Sequence, residues 1–244
     1  MTIFVSYEQK PDILRFNGLQ RDIYLALERS SSLYQYDTVH QLLFEIVLRG
    51  NIIKAAKMLH ESQATFAPFT TSRFNPLKWR KTKYGYLQNP NVLPSEAIRD
   101  VFQNSREYAF ECTTAIVLIF YKAVLDSISI THFNTLFQDL LVWDWKHDQD
   151  LGIIAERGRD FIPGDVVYFA NPEYDHPVWS GENAVYLGKG LYFGHGIGIK
   201  TAEGMVNDLN TLRKKDATIS AYLISQHTRL NVKYLAQFSK RLLF

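Results

Sequence analysis

Cys112 is the only cysteine in the 244-residue chain, and it stands in Tyr108-Ala109-Phe110-Glu111-Cys112-Thr113-Thr114, directly before the apolar run Ala115-Ile116-Val117-Leu118-Ile119-Phe120-Tyr121. A thiol on the first turn of a buried helix feels the helix's positive end, which lowers its pKa and raises its thiolate fraction. The plain alternative is an inert core residue, because free cysteine is among the most buried residue types. Three groups elsewhere can serve a thiol. Glu182 lies in Trp179-Ser180-Gly181-Glu182-Asn183 at the entry to a predicted strand, and His195 lies in Phe193-Gly194-His195-Gly196-Ile197-Gly198, where glycines let backbone approach another group closely. Glu111 adjoins Cys112 itself. For each of the three, the plain alternative is a solvated or structural residue.

The elements that must position these groups change character along the chain. The first half reads as helices: Leu19, Ile23 and Leu27 at four-residue spacing, then a helix capped by Asp37 or Thr38 with Val39, Leu42, Leu43, Ile46 and Val47 inward and ending at Gly50. Asn51 is expected to cap a further helix bearing Ile52, Ala55, Ala56 and Leu59. Residues 68–94, punctuated by Pro76, Gly85 and Pro90, read as an irregular surface excursion, after which Ser95 opens a short helix through Ile98 and Phe102. The Cys112 helix follows, then one carrying Phe133, Leu136, Phe137, Leu140 and Leu141. Beyond about Lys146 the pattern becomes strands: 166–169, 184–187 and 191–193, with Gly188-Lys189-Gly190 as a hairpin turn. A helix over 202–215 and a strand around 220–225 complete an α+β chain, read as one domain over 1–244 with a mostly helical part at 1–94 and the catalytic core at 95–244.

Composition removes several function classes. Hydrophobic residues at 46% and charged residues at 21% describe an ordered chain, and a single cysteine forbids an intramolecular disulfide. A net charge of +2 demands no nucleic-acid partner. The longest apolar run is far short of the roughly 20 residues that span a bilayer, and the first residues carry no secretory pattern, so synthesis and folding in the cytoplasm are expected. No Cys-x-x-Cys, His-Glu-x-x-His, phosphate-loop or calcium-loop spacing occurs, so no metal or cofactor is expected; the acidic run from Asp144 to Asp150 reads as a solvated turn. Residues 49–63 resemble the Ala-Ala, Leu, Ser-Gln pattern of bacterial helix-turn-helix regulators, but Pro68 would interrupt a recognition helix after about one turn.

Two longer segments carry a resemblance. Phe161-Ile162-Pro163-Gly164-Asp165-Val166-Val167-Tyr168-Phe169 followed by Gly181-Glu182-Asn183-Ala184-Val185-Tyr186-Leu187-Gly188 resembles the core of NlpC-type papain-like cysteine peptidases and amidases, with Glu182 where that family has its histidine base. The runs 108–117, 179–183 and 192–199, together with Arg213-Lys214-Lys215 and residues 220–226, are similar to the bacterial spore-coat transglutaminases, the protein-glutamine γ-glutamyltransferases of Bacillus and relatives. The likeness runs from about Tyr36 to the carboxyl end. It implies a papain-like α+β core with an antiparallel sheet packed on the cysteine helix, and a calcium-independent enzyme that crosslinks glutamine and lysine side chains of coat proteins. It further implies Cys112 as nucleophile inside a tunnel, Glu182 as its principal partner, Glu111 as a secondary one, and His195 as a nearby histidine. Phe66, Trp145, Tyr168 and Trp179 carry over as tunnel aromatics. No metal, nucleic acid or membrane is expected as a partner. The alternatives are an NlpC-type amidase acting on peptidoglycan and a coat scaffold without activity.

Overall fold

The computed structural model describes residues 3–5 and 11–240. Strand β1 (Ile3–Val5) pairs in parallel with β2 (Tyr34–Tyr36), and between them α1 (Gly18–Arg29) turns Ile23, Tyr24 and Leu27 inward. Thr38, one of the two expected caps, accepts from the Gln41 N–H and starts α2 (Val39–His60), a single helix of 22 residues. The expected break at Gly50 and Asn51 does not occur. Gly50 packs beside α1, where a Cβ would meet the side chains of Ile23 and Leu19 at 4.0 Å, an ordinary contact, and Asn51 sends its amide to the Ser127 hydroxyl at 2.9 Å instead of capping. The continuous helix also corrects the helix-turn-helix likeness. Arg49, first residue of that pattern, is buried and bonded to Glu45 and to Asp165, both at 2.7 Å.

The supposed irregular excursion holds an ordered hairpin. After β3 (Thr65–Phe66), strands β4 (Trp79–Thr82) and β5 (Gly85–Gln88) pair antiparallel and bury Trp79 and Tyr86 against Phe74. Helix α3 (Pro94–Gln103) follows, with Pro94 in its first turn, and then β6 (Ala109–Phe110), which pairs with β3. Helix α4 (Cys112–Ser127) comes next. Every α4 residue except Asp126 is buried, the pattern of a helix enclosed on all sides. Helix α5 (Ile130–Leu136) is shorter than expected, because Leu141 belongs to β7 (Leu141–Val142), which joins the hairpin as a third strand.

The second half forms a six-stranded, wholly antiparallel sheet in the order β12, β11, β10, β9, β13, β8. Its strands are β8 (Ile153–Arg157), β9 (Val166–Ala170), β10 (Gly181–Gly188), β11 (Leu191–Gly194), β12 (Gly198–Thr201) and β13 (Tyr222–Leu230). The β10–β11 turn is the expected one, with Gly188, Lys189 and Gly190 all at positive φ. Strands β8 and β12 were not legible, and the 202–215 helix stops early as α6 (Ala202–Asn210), where the Arg213 side chain turns to the carbonyls of Asn210 and Ile219. A last short helix, α7 (Val232–Leu235), follows β13. The side of the sheet bearing Val166, Val185 and Phe193 joins α2 and α4 in one apolar core; the side bearing Val167, Phe169, Ala184 and Tyr192 packs against Met205 and Leu209 of α6. A cysteine-bearing helix packed on an antiparallel sheet is the papain-like α+β arrangement.

Asp165 locks the turn that leads into β9. Both its oxygens are taken, Oδ1 by Arg49 at 2.7 Å and Oδ2 by Arg229 at 2.8 Å, and although burial pushes its pKa up, the two guanidinium groups outweigh that and hold it below the usual carboxylate range. Removing one partner would strand a buried charge.

Candidate active site

The site is assembled where α4 begins. Glu111 is extended (φ −85°, ψ 175°) and caps the helix: its Oε2 accepts from the Thr113 N–H at 2.5 Å, and its Oε1 accepts from the Thr114 N–H at 2.8 Å and from the Thr114 hydroxyl. The first-turn donors therefore serve a carboxylate and are not aimed at sulfur. Cys112, the first helical residue, is 7% exposed. Its thiol is not depressed as the helix-end argument expects. Burial pushes it well above its ordinary value, the Glu182 and Glu111 carboxylates raise it further, and bonds from Asn183 oppose them only in part. The resting group at neutral pH is the thiol.

Two adjacent residues at the start of β10 meet the cysteine from different directions. Side chains alternate across a strand, so Asn183 shares the α4 side of the sheet with Val185, and Glu182 shares the other with Ala184. Asn183 Nδ2 donates to Thr113 Oγ1 at 3.0 Å and lies 3.9 Å from Cys112 Sγ. Glu182, expected to face the cysteine helix directly, makes no hydrogen bond to the sulfur: its Oε1 accepts from the Gly196 N–H at 3.2 Å, Oε2 has no hydrogen-bond partner, and its ionised form is one cause of the raised thiol. Complete burial pushes the Glu182 carboxyl up to about 8, with the Gly196 N–H pulling the other way and Glu111 adding to the rise.

Glycines make room for this carboxyl. A Cβ on Gly194 would fall 2.6 Å from Glu182 Cγ, and one on Gly196 would fall 2.9 Å from the Trp179 ring, 3.1 Å from Glu182 Oε2 and 3.3 Å from the Phe66 ring. Gly194→Ala is therefore expected to displace Glu182, lowering stability by about 1–3 kcal/mol through overpacking and lowering turnover with it. Unchanged melting and turnover in that variant would contradict the packing described.

The four expected aromatics divide between two walls. Phe66 stacks on Trp179 with centroids 4.7 Å apart, and both border Gly196 beside Glu182. Trp145 and Tyr168 instead line a cleft of about 550 Å³ together with Thr113, Asn183 and His227. His195 joins the first wall: its ring stacks on Phe110 at 4.8 Å and lies 6.3 Å from Phe66. Burial pushes His195 down to about 4 against the backbone groups of Thr65 and Phe110, so the ring is neutral at pH 7. Sequence reasoning gave no role to Thr113 or Asn183. Strand alternation could have found Asn183, since it is in phase with Val185 on the cysteine side, whereas nothing local marks Thr113. Among the described residues no group of three or more His, Cys, Asp or Glu side chains is placed to hold a metal ion, and no helix is long and apolar enough to cross a membrane.

The comparisons with known proteins agree with one another. The family model described as protein-glutamine gamma-glutamyltransferase matches residues 3–239. A protein-glutamine gamma-glutamyltransferase of Bacillus pumilus is 45% identical over 226 residues, covering 91% of this chain and 92% of that protein. One from Bacillus subtilis is 45% identical over 205 residues, covering 83% of each. The solved structure of a transglutaminase from Geobacillus stearothermophilus, without its C-terminal extension, superposes with a TM-score of 0.80 at 50% identity, covering 83% of this chain and 99% of that one. With a cysteine helix, an antiparallel sheet and relatives that match along most of its length, the chain belongs to the protein-glutamine γ-glutamyltransferase family of transferases.

Proposed function

We propose that the chain crosslinks spore-coat proteins by way of a Cys112 thioester, working as one catalytic unit over 1–244. The observation that carries the mechanism is the pairing, at one buried place, of a lone protonated thiol with a carboxyl pushed up to about 8. Sulfur attacks the carboxamide carbon of a substrate glutamine; the S–C bond forms, the C–N bond breaks, and the thiol proton passes through the Glu182 carboxyl to the departing ammonia. A lysine amine then attacks the thioester, giving its proton back through Glu182 to sulfur as the isopeptide bond forms. Glu111 supports the helix start, and its negative charge helps keep the thiol protonated at rest, so that proton loss to Glu182 accompanies attack on the carbonyl carbon.

The glutamine side chain enters the cleft along Trp145 and Tyr168, where Asn183 Nδ2 is a donor for the carboxamide oxygen. Phe66, Trp179 and the neutral His195 keep water from the Glu182 side, which protects the thioester from hydrolysis. The coat as destination, after synthesis in the cytoplasm, is supported by the sequence resemblance to the coat enzymes. The direct test is incubation with a glutamine-containing protein and a labelled primary amine, read as amine incorporated and ammonia released.

Calcium is expected to be dispensable. Two acids of the run from Asp144 to Asp150 already have uses, Asp150 accepting from the Tyr234 hydroxyl at 2.5 Å and Asp148 from the Asp150 N–H at 2.9 Å. Amine incorporation in excess chelator should match that in its absence. Activity lost to chelator and restored by calcium would refute this.

A further inference from the structure

The β4–β5 hairpin and the loop beside its tip carry cations that form no ion pair among the described residues. Lys83 Nζ lies 4.8 Å from the centroid of the Tyr84 ring, and Lys146 Nζ lies 5.8 Å from the same ring while donating to the Tyr84 carbonyl oxygen at 2.7 Å. Tyr84 itself is 56% exposed. Arg80 on β4 is exposed as well. Among the described residues the ion pairs involve other cations, and Arg80, Lys83 and Lys146 have no carboxylate partner. Lys81, between them in sequence, is used internally, donating to the Phe69 carbonyl at 2.6 Å. Two ammonium groups held against one exposed ring concentrate positive charge there, and an anion brought close to them would offset it.

The cluster also borders the cleft. Lys146 sits between Trp145 and His147, which both line it, and the cleft reaches Thr113 and Asn183 beside the sulfur. Asp144 is the exposed acid of the same loop and offsets part of this charge.

The geometry points to a docking surface for acidic segments of protein substrates, whose carboxylates engage Lys83, Lys146 and Arg80 while the neighbouring glutamine enters the cleft. This rests on the transferase reading above and adds the class of glutamine preferred. An extended substrate advances about 3.3 Å per residue, so acids are placed two to five positions from the glutamine to sample the surface beside the cleft.

The test uses the whole chain and two peptides of equal length with one glutamine each, one flanked at those positions by Asp and Glu, the other by Ser and Asn. With a labelled primary amine as acceptor, the acidic peptide should show a KM about 5-fold lower at low salt, the two converging near 0.5 M salt as screening removes the attraction. Arg80→Glu with Lys83→Glu should erase the difference while kcat on the neutral peptide is kept; Lys146→Glu is the second variant, expected to act in the same direction. Equal KM for both peptides with the unaltered chain overturns the docking surface and leaves the transferase reading standing. Turnover of neither peptide overturns the transferase reading and the docking surface with it.

Discussion

Cys112→Ala is expected to give a folded chain that incorporates no amine, with loss of about 10⁴-fold or more, the scale seen when a nucleophile is removed from a site whose parts act as a unit. Alanine keeps the helix start, because the cap belongs to Glu111 and its bonds run to Thr113 and Thr114. Melting should therefore shift little, which separates lost chemistry from lost structure. Cys112→Ser should be equally inactive. A hydroxyl buried beside two carboxylates is a far weaker acid than the thiol and a poorer nucleophile. Because Cys112 is the only cysteine, one equivalent of iodoacetamide per chain should abolish activity. Labelling should be slow at neutral pH and quicken as pH rises, since the thiol is protonated at rest and nearly enclosed. Amine incorporation at the unaltered rate by Cys112→Ala would remove Cys112 from the mechanism.

What was legible in the sequence was what short-range pattern encodes. The cysteine at a helix start, the Gly188-Lys189-Gly190 turn and the order of the Glu-Cys and Gly-Glu-Asn runs depend on neighbours in the chain, and the structure places Glu111, Cys112 and Glu182 within one electrostatic group. Features decided by distant partners were not legible. Gly50 and Asn51 look like a stop and a start until α1 and Ser127 are known to lie against them. The β4–β5 hairpin hides among prolines because its reward is the burial of Trp79 and Tyr86 against Phe74, which no local period reveals. The sign of the thiol shift escapes the sequence for the same reason: the helix-end field is local, whereas the burial and the Glu182 charge that outweigh it depend on the sheet.

Glu182→Gln is expected to slow acyl-enzyme formation by about 100-fold or more, within the range that loss of a general base gives. Glutamine fills the same space between Gly194 and Gly196 and accepts the same Gly196 N–H, so what disappears is proton transfer and charge. The pH dependence separates this from mere disturbance. A base with its pKa pushed up to about 8 is mostly protonated at pH 7, so kcat/KM should climb between pH 6 and 8 and level off above, and in Glu182→Gln that limb should vanish. Stability carries a second signature of opposite slope. Folded Glu182 keeps its proton up to about 8 while the unfolded chain releases it near the ordinary 4.5, so across that window the folded state binds more protons and its stability falls as pH rises. Glu182→Gln should flatten that fall and melt above the parent at pH 8. Glu111→Gln should cost less in rate, because Glu182 remains, but should weaken the helix start, since the amide keeps only one acceptor oxygen for the Thr113 and Thr114 donors. Single-turnover ammonia release decides between them: if Glu111→Gln were the inactive variant and Glu182→Gln kept both its rate and its pH limb, the unpartnered Glu182 oxygen would have to be explained by something other than catalysis.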